Sequence, residues 1–299
     1  MSELNTYSQM LPQLSEEEER DLIERATRGD RKALEKIVNQ FQPIIFNIAL
    51  RMVWNRQDAE DVTQEVLIKV ITHIASFHFE SRFYTWVYRI TSNHLINMKK
   101  SSAEKLLNSF EQYGVDIDDT PDMPLESFSK SSSEYDLILE EVKLQCFTGM
   151  LLCLDRRRRL AFILGEVLGL ASKEGAEIMS LKPENFRQLL SRGRRQVFSF
   201  MQNRCGLVKK GNHCKCHLKA QSMIDQKEIV PGKLKFATSS KTSLQVLHPR
   251  RSIRMINFLD KKCSTLFQDQ PVQDSESFVE YFREMTRSKE FQNLFELYD

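Results

Sequence analysis

Glycine and proline are scarce in this chain, ten and eight among 299 residues. Few turns are therefore written into it, and helices are expected to dominate. Long apolar runs are missing as well: "LQCFTGMLLCL" ends in "DRRRR" and is too short to cross a bilayer. The opening "MSELNTYSQMLPQLSEEEERDL" has neither the basic start nor the apolar core of a signal peptide. A cytoplasmic protein without membrane insertion is expected. In that compartment six cysteines suit thiols or metal ligands better than disulfides. No phosphate-binding loop, dinucleotide fingerprint or nucleophile–base pair is found, which points away from an enzyme. Net charge is almost absent, +2 at pH 7, but only because opposite charges are segregated along the chain.

What is present is helical periodicity in two blocks. Ser15 with Glu18 forms a capping box for an N-terminal acidic helix within 1–29, ended by Gly29-Asp30. Leu34, Ile37, Val38, Phe41, Ile45, Ile48 and Met52 then repeat at helical spacing, with Pro43 expected to kink or divide the helix. Asp58 is expected to cap a second helix buried through Val62, Val66 and Val70, and a third runs from Phe83 to about Lys100. Residues 30–100 thus form one small all-helical domain. Residues 101–136 carry nine acidic residues against two lysines and no sustained period, an acidic and flexible linker. A second helical domain spans 137–204, with Asp155 as a cap and Gly169 as a stop. Residues 205–299 form a cysteine-bearing C-terminal extension whose end, with Phe278, Phe282, Phe291 and Phe295, is helical in pattern. The fold class is all-α: two small helical domains on a tether, plus an extension.

Three stretches carry chemistry. "FHFESRFYTWVYRI" places six aromatic rings between Phe77 and Tyr88. Phe83 and Trp86 suit a core. Phe77, Phe79, Tyr84 and Tyr88 beside Arg82 and Arg89 suit either more core or the stacking of unpaired bases with cations on the backbone. "ASKEGAEIMSLKPENFRQLLSRGRRQVF" gives a short helix, a turn and a basic helix. Between Lys182 and Arg204 stand six basic residues and one acidic one. Phe186, Leu190, Gly193 and Val197 would pack inward, leaving Arg187, Ser191, Arg194 and Arg195 for DNA. The spacing fits a helix-turn-helix as well as it fits a solvated basic face. Cys205, Cys214, Cys216 and His217 could bind zinc tetrahedrally, or the thiols could be free or redox-responsive. "DAEDVTQEV", from Asp58, is either an ordinary amphipathic helix or a docking surface.

In order and spacing, "DAEDVTQEVLIKV…ITHIASFHFESRFYTWVYRITSNHLINMKK" resembles the second conserved region of bacterial sigma factors of the sigma-70 family, extracytoplasmic-function (ECF) class. "LDRRRRLAFILGEVLGLASKEGAEIMSLKPENFRQLLSRGRRQVF" resembles that class's fourth region. The two cover a little over half of the chain. The resemblance implies a dissociable subunit that directs RNA polymerase core to promoters and stabilises the melted strand. Asp61, Thr63, Gln64 and Glu65 would dock on the largest polymerase subunit. Phe77, Phe79, Arg82, Tyr84, Trp86, Tyr88, Arg89 and Asn93 would hold the melted strand. Asn185, Arg187, Gln188, Ser191, Arg192, Arg194 and Arg195 would read duplex DNA near the polymerase flap. The acidic linker would thread the RNA-exit path. An anti-sigma factor would be a further partner, and no cofactor is required, zinc at the cysteines being an option beside free or redox-responsive thiols. Lys182 stands where the family has a Ser or Thr cap, and Leu189 where it often has a polar residue. The competing reading is a stand-alone helix-turn-helix regulator that binds duplex DNA without polymerase.

Overall fold

The computed structural model describes residues 15–106, 109–125, 132–237, 258–268, 270, 275 and 278–287. Among these, thirteen α-helices pack around a main hydrophobic core and a smaller one of Leu125, Ile138, Val142, Ala220 and Ile229. Phe291 and Phe295, residues 1–14 of the expected N-terminal helix and residues 126–131 of the expected linker lie outside the described residues.

The first domain is built from α1 (Glu16–Thr27), α2 (Arg31–Val53), α3 (Arg56–Thr72) and α4 (Phe83–Asn97). The capping box that opens α1 forms as expected, with Glu18 N–H on Ser15 Oγ at 3.1 Å and Ser15 N–H on Glu18 at 2.7 Å. Gly29 turns the chain at φ +83°, and Asp30 caps α2 through the amides of Lys32 and Ala33. Pro43 does not divide α2, which is one helix across it. The carbonyl that loses its donor belongs to Asn39, an exposed residue. The cap of α3 is Asn55, whose side chain accepts from Asp58 N–H at 3.0 Å; Asp58 lies inside the first turn instead of capping it.

The expected flexible linker is the main departure. Residues 102–106 form α5 and Phe110–Asp119 form α6, both docked on the rest. Ser101 and Glu104 make a second capping box, which polarity counting overlooks because its glutamate is buried. Glu104 accepts from Arg156 at 2.6 Å and from Arg159 at 2.8 Å, joining the end of the first domain to the start of the second. Arg159 also donates to the carbonyls of Leu151, Leu154 and Met52. On α6, Tyr113 is buried, donates to the Cys146 carbonyl at 3.1 Å and stacks on Phe200.

The second domain holds α7 (Ser133–Leu152), α8 (Arg156–Phe162) with a π-helical turn over Ile163–Val167, α9 (Ser172–Ile178) and α10 (Pro183–Arg204). Asp155 caps α8 through Arg158 N–H, and Gly169 at φ +67° stops it, both as the sequence indicates. The buried face of α10 is Phe186, Leu190, Gly193 and Val197. A methyl group on Gly175 of α9 would meet the Phe186 ring at 2.3 Å, so the close crossing of α9 and α10 depends on that glycine. After α11 (Cys216–Asp225), α12 (Phe258–Gln268) lies on the π-helical turn and α10, and α13 (Phe278–Met285) lies on α2. The extension therefore spans both domains.

Candidate nucleic-acid interface

The outward face of α10 is where the expected duplex readers converge. Asn185, Arg187, Gln188, Ser191, Arg192 and Arg195 are all exposed, and the last five share one shallow groove with Glu184. Arg187 is held by Glu184 at 2.7 Å. Lys182 supplies no side-chain cap, and Pro183 occupies the first turn instead. Arg194 differs from its neighbours: it turns inward and pairs with Glu166, which is fully buried and also accepts from Ser264 of α12.

On α3, Asp61, Gln64 and Glu65 are exposed side by side along one helical face. Thr63 points the other way; it is buried and its hydroxyl donates to the Ala59 carbonyl at 2.6 Å. At helical spacing the face that carries positions 61, 64 and 65 leaves 62 and 63 on the opposite side, so Thr63 supports this face from inside.

The aromatic stretch divides. Phe77, Phe83 and Tyr88 are core residues, with Phe41 meeting Phe83 edge-on at 5.5 Å and Tyr88 at 6.4 Å. Phe79 takes φ +58°, unusual for a bulky residue, and its ring is held between Phe77 at 4.9 Å and the Arg20 guanidinium at 4.2 Å. Trp86 is half-buried beside Phe83 and lines an open groove with Lys69, His73, Asn93, His94 and Asn97. Asn93 is exposed within it, and Arg82 is exposed at the start of α4. Composition hid the contributions of Lys69 and His94. Lys69 Nζ lies 2.7 Å from His94 Nδ1, while Glu65 stands 3.7 Å from His94 Nε2. Burial, then Lys69, hold the His94 pKa below its ordinary value, against Glu65.

Tyr84 and Arg89 face the second domain. Tyr84 donates to Glu174 of α9 at 3.1 Å, and Arg89 reaches the carbonyl and carboxylate of Glu177 at 3.3 and 3.6 Å. Burial and the Glu174 charge push the Tyr84 hydroxyl up to about 12.

The cysteine segment is folded onto α10. Cys205 and Cys214 pair in a parallel bridge, and Gly206 N–H donates to the Cys214 carbonyl at 3.0 Å. Cys216 starts α11, which turns His217 out to solvent, away from the expected ligand set. Among the described residues no three His, Cys, Asp or Glu side chains stand in ligand geometry.

The open row of polar and basic groups on the helix-turn-helix and the groove beside Trp86 are two separate surfaces with the chemistry for nucleic acid. The comparisons make this specific. The sequence model of Sigma-70 region 2 matches residues 37–104, and that of Sigma-70 region 4 matches 144–197. The chain is 30% identical over 192 residues to the ECF RNA polymerase sigma-E factor of Haemophilus influenzae, covering 60% of this chain and 94% of that one. It is 39% identical over 87 residues to the RNA polymerase sigma-H factor of Pseudomonas aeruginosa, which spans 28% of this chain and 45% of that protein. A solved structure of CnrH in complex with the cytosolic domain of CnrY aligns at 17% identity and a TM-score of 0.45, covering 62% of this chain and 97% of that one. The chain belongs to the ECF class of the sigma-70 family. It is a dissociable sigma subunit for transcription initiation, a kind of protein that acts by binding. No helix among the described residues is long and apolar enough to cross a membrane.

Proposed function

We propose that residues 30–100 and 137–204 act as two separate promoter-contacting units, each through the outward face described above. Asp61, Gln64 and Glu65 dock on the polymerase core, with Thr63 fixing the helix behind them. Trp86, Asn93 and Arg82 hold the melted strand in the groove that Lys69 and His94 complete, and Phe77, Phe79 and Tyr88 keep that wall rigid from behind. Tyr84 and Arg89 join this face only when α9 moves off α4. Asn185, Arg187, Gln188, Ser191, Arg192 and Arg195 contact the distal promoter element as duplex, near the polymerase flap. An anti-sigma factor is the regulatory partner that fits a protein of this family. No covalent step is required of the chain: polymerase contacts and base capture offset the cost of unpairing.

The observation that carries this reading is the undivided exposure of the α10 row, six polar side chains on one face with the apolar ones opposite. Run-off transcription with core polymerase tests it. Trp86→Ala is expected to spare polymerase binding and weaken strand opening, read as lost permanganate reactivity of promoter thymines; unchanged reactivity counts against the groove. A stand-alone regulator would bind its duplex tightly without core polymerase, and tight binding by the isolated chain would favour that alternative.

A further inference from the structure

The loop before α4 holds a backbone anomaly. Phe79 sits at φ +58°, in the left-handed region that suits glycine and strains a phenylalanine. Burial does not compensate for that strain: Phe77 and Phe83 are buried, whereas Phe79 stays half-buried between exposed His78 and Glu80. Its ring packs on Phe77 at 4.9 Å, and Phe77 in turn meets Phe83 at 5.2 Å and Trp86 at 5.7 Å. The strained ring therefore belongs to an aromatic cluster that also contains Trp86, which lines the open groove. Over the Phe79 ring lies the Arg20 guanidinium, 4.2 Å from its centroid.

Contacts between a cation and an aromatic ring are common on protein surfaces, and this one could be incidental. Its setting argues otherwise. Arg20 is brought there by a docked helix: α1 buries Leu22, Ile23 and Ala26 and packs on the turn Ile74–Ser76, directly ahead of the loop. The arginine side chain itself is not packed in; it is 58% exposed, with Glu24 at 4.0 Å as an ion-pair partner. One turn away from it on α1 stand Glu16, Glu17 and Glu24, all exposed. That acidic surround repels phosphate, so Arg20 is poorly placed to hold a nucleic-acid backbone. What the chain presents is a strained, half-buried ring with one face closed by a side chain that solvent already reaches.

We infer that Arg20 is a placeholder: its guanidinium occupies the face of Phe79 that receives an unpaired base of the melted strand, and it leaves when the base arrives. The inference rests on the strand-capture reading above and adds to it a residue of α1, which lies outside the region 2 match of residues 37–104. The exchange is favourable because a nucleobase offers the ring a larger stacking face than a solvated guanidinium does. Glu24, already at 4.0 Å, receives the released cation. Until then the guanidinium keeps water and stray apolar groups off the ring and helps to hold the strained backbone that projects it. Arg20 thus sets the threshold for base capture without touching the captured strand.

Holoenzyme reconstituted from the full chain and core polymerase tests this, with a fluorescein-labelled single strand from the melted region of the run-off promoter and affinity read by anisotropy. Losing a cation ordinarily weakens nucleic-acid binding. Arg20→Ala is expected to do the reverse and tighten binding about threefold. Phe79→Gly removes the ring but keeps a φ that glycine tolerates, and it should weaken binding about fivefold or more. In the Phe79→Gly background Arg20→Ala should bring no gain, because no ring is left to uncover. In the free chain, NMR of arginine-labelled protein should find the Arg20 side-chain N–H shifted upfield by the ring, and returned to the position of other exposed arginines in Phe79→Gly. Weaker or unchanged binding in Arg20→Ala, or an Arg20 signal without the ring shift, overturns the placeholder; if Trp86→Ala still binds the strand poorly, strand capture itself stands. If Trp86→Ala and Phe79→Gly both leave binding unchanged, strand capture fails and this role of Arg20 fails with it.

Discussion

Two neighbouring arginines on α10 make opposite residue-scale predictions. Arg195→Ala removes an exposed cation from the row facing DNA; promoter binding by holoenzyme should weaken and the salt slope of affinity should fall by about one, with stability unchanged. Arg194→Ala leaves fully buried Glu166 with Ser264 alone, and denaturant titration should find a loss of about 3 kcal/mol. Equal effects of the two on DNA affinity would contradict their separate placements. Glu104 supplies the pH dependence. Burial raises this carboxyl, but hydrogen bonds from Arg156 and Ser101 and the charge of Arg159 outweigh it and bring it to about 2. A folded pKa below the unfolded value means stability is complete above about pH 4.5 and declines as pH falls from there toward about 2. Glu104→Gln should abolish that part of the acid transition in a pH-resolved unfolding series, and should itself cost about 3 kcal/mol by stranding two arginines.

At the scale of elements, legibility followed how local each signal is. The caps at Ser15 and Asp155, the stop at Gly169 and the inward face of α10 depend on neighbours within one or two turns, and the sequence displays them directly. The segment from 101 reads as a linker in sequence because its order comes from distant partners: Glu104 from Arg156 and Arg159, Tyr113 from the Cys146 carbonyl. Counting charges treats such a glutamate as solvated. The aromatic stretch was half legible. Phe83 is core as its spacing required, and Phe77 joins it there edge-on, whereas Tyr88 meets Phe41 on α2, a contact no local pattern encodes. The crossing of α9 and α10 gives an element-scale prediction. Gly175→Ala places a methyl against the Phe186 ring, and overpacking there should cost about 1–3 kcal/mol and lower holoenzyme affinity for duplex promoter DNA. Adding Phe186→Leu should return part of that stability in thermal unfolding; a silent Gly175→Ala would mean that the crossing is looser than its 2.3 Å approach implies.

At the scale of the whole molecule, the two promoter-contacting units are held together in a way that covers part of one of them. Tyr84 and Arg89 are engaged by Glu174 and Glu177 of the helix-turn-helix, and the Glu104 triad fixes the spacing behind them. The extension reinforces this arrangement from both sides: Phe267 packs on Phe147 and Phe162, while Phe282 is fully buried against the α2 side, where Arg283 pairs with Glu35 at 2.9 Å. The exposed Arg283–Glu35 pair contributes little, so the buried rings carry most of the hold. The polymerase-docking face of α3 and the α10 row both stay open in this arrangement. On the proposed reading, docking on the core begins with the units together, and release of α4 from α9 follows before Tyr84 and Arg89 reach the strand. Fluorophores placed by unnatural amino acids at exposed Lys36 and Ser199 should report one compact state for the free chain and a longer distance once core polymerase is added. Phe282→Ala should shift the free chain toward the longer distance, because a vacated ring position on α2 weakens the span between domains. An unchanged distance on polymerase binding would mean that the closed pairing of α4 with α9 is itself the form that meets DNA, and that Tyr84 and Arg89 have no part in strand capture.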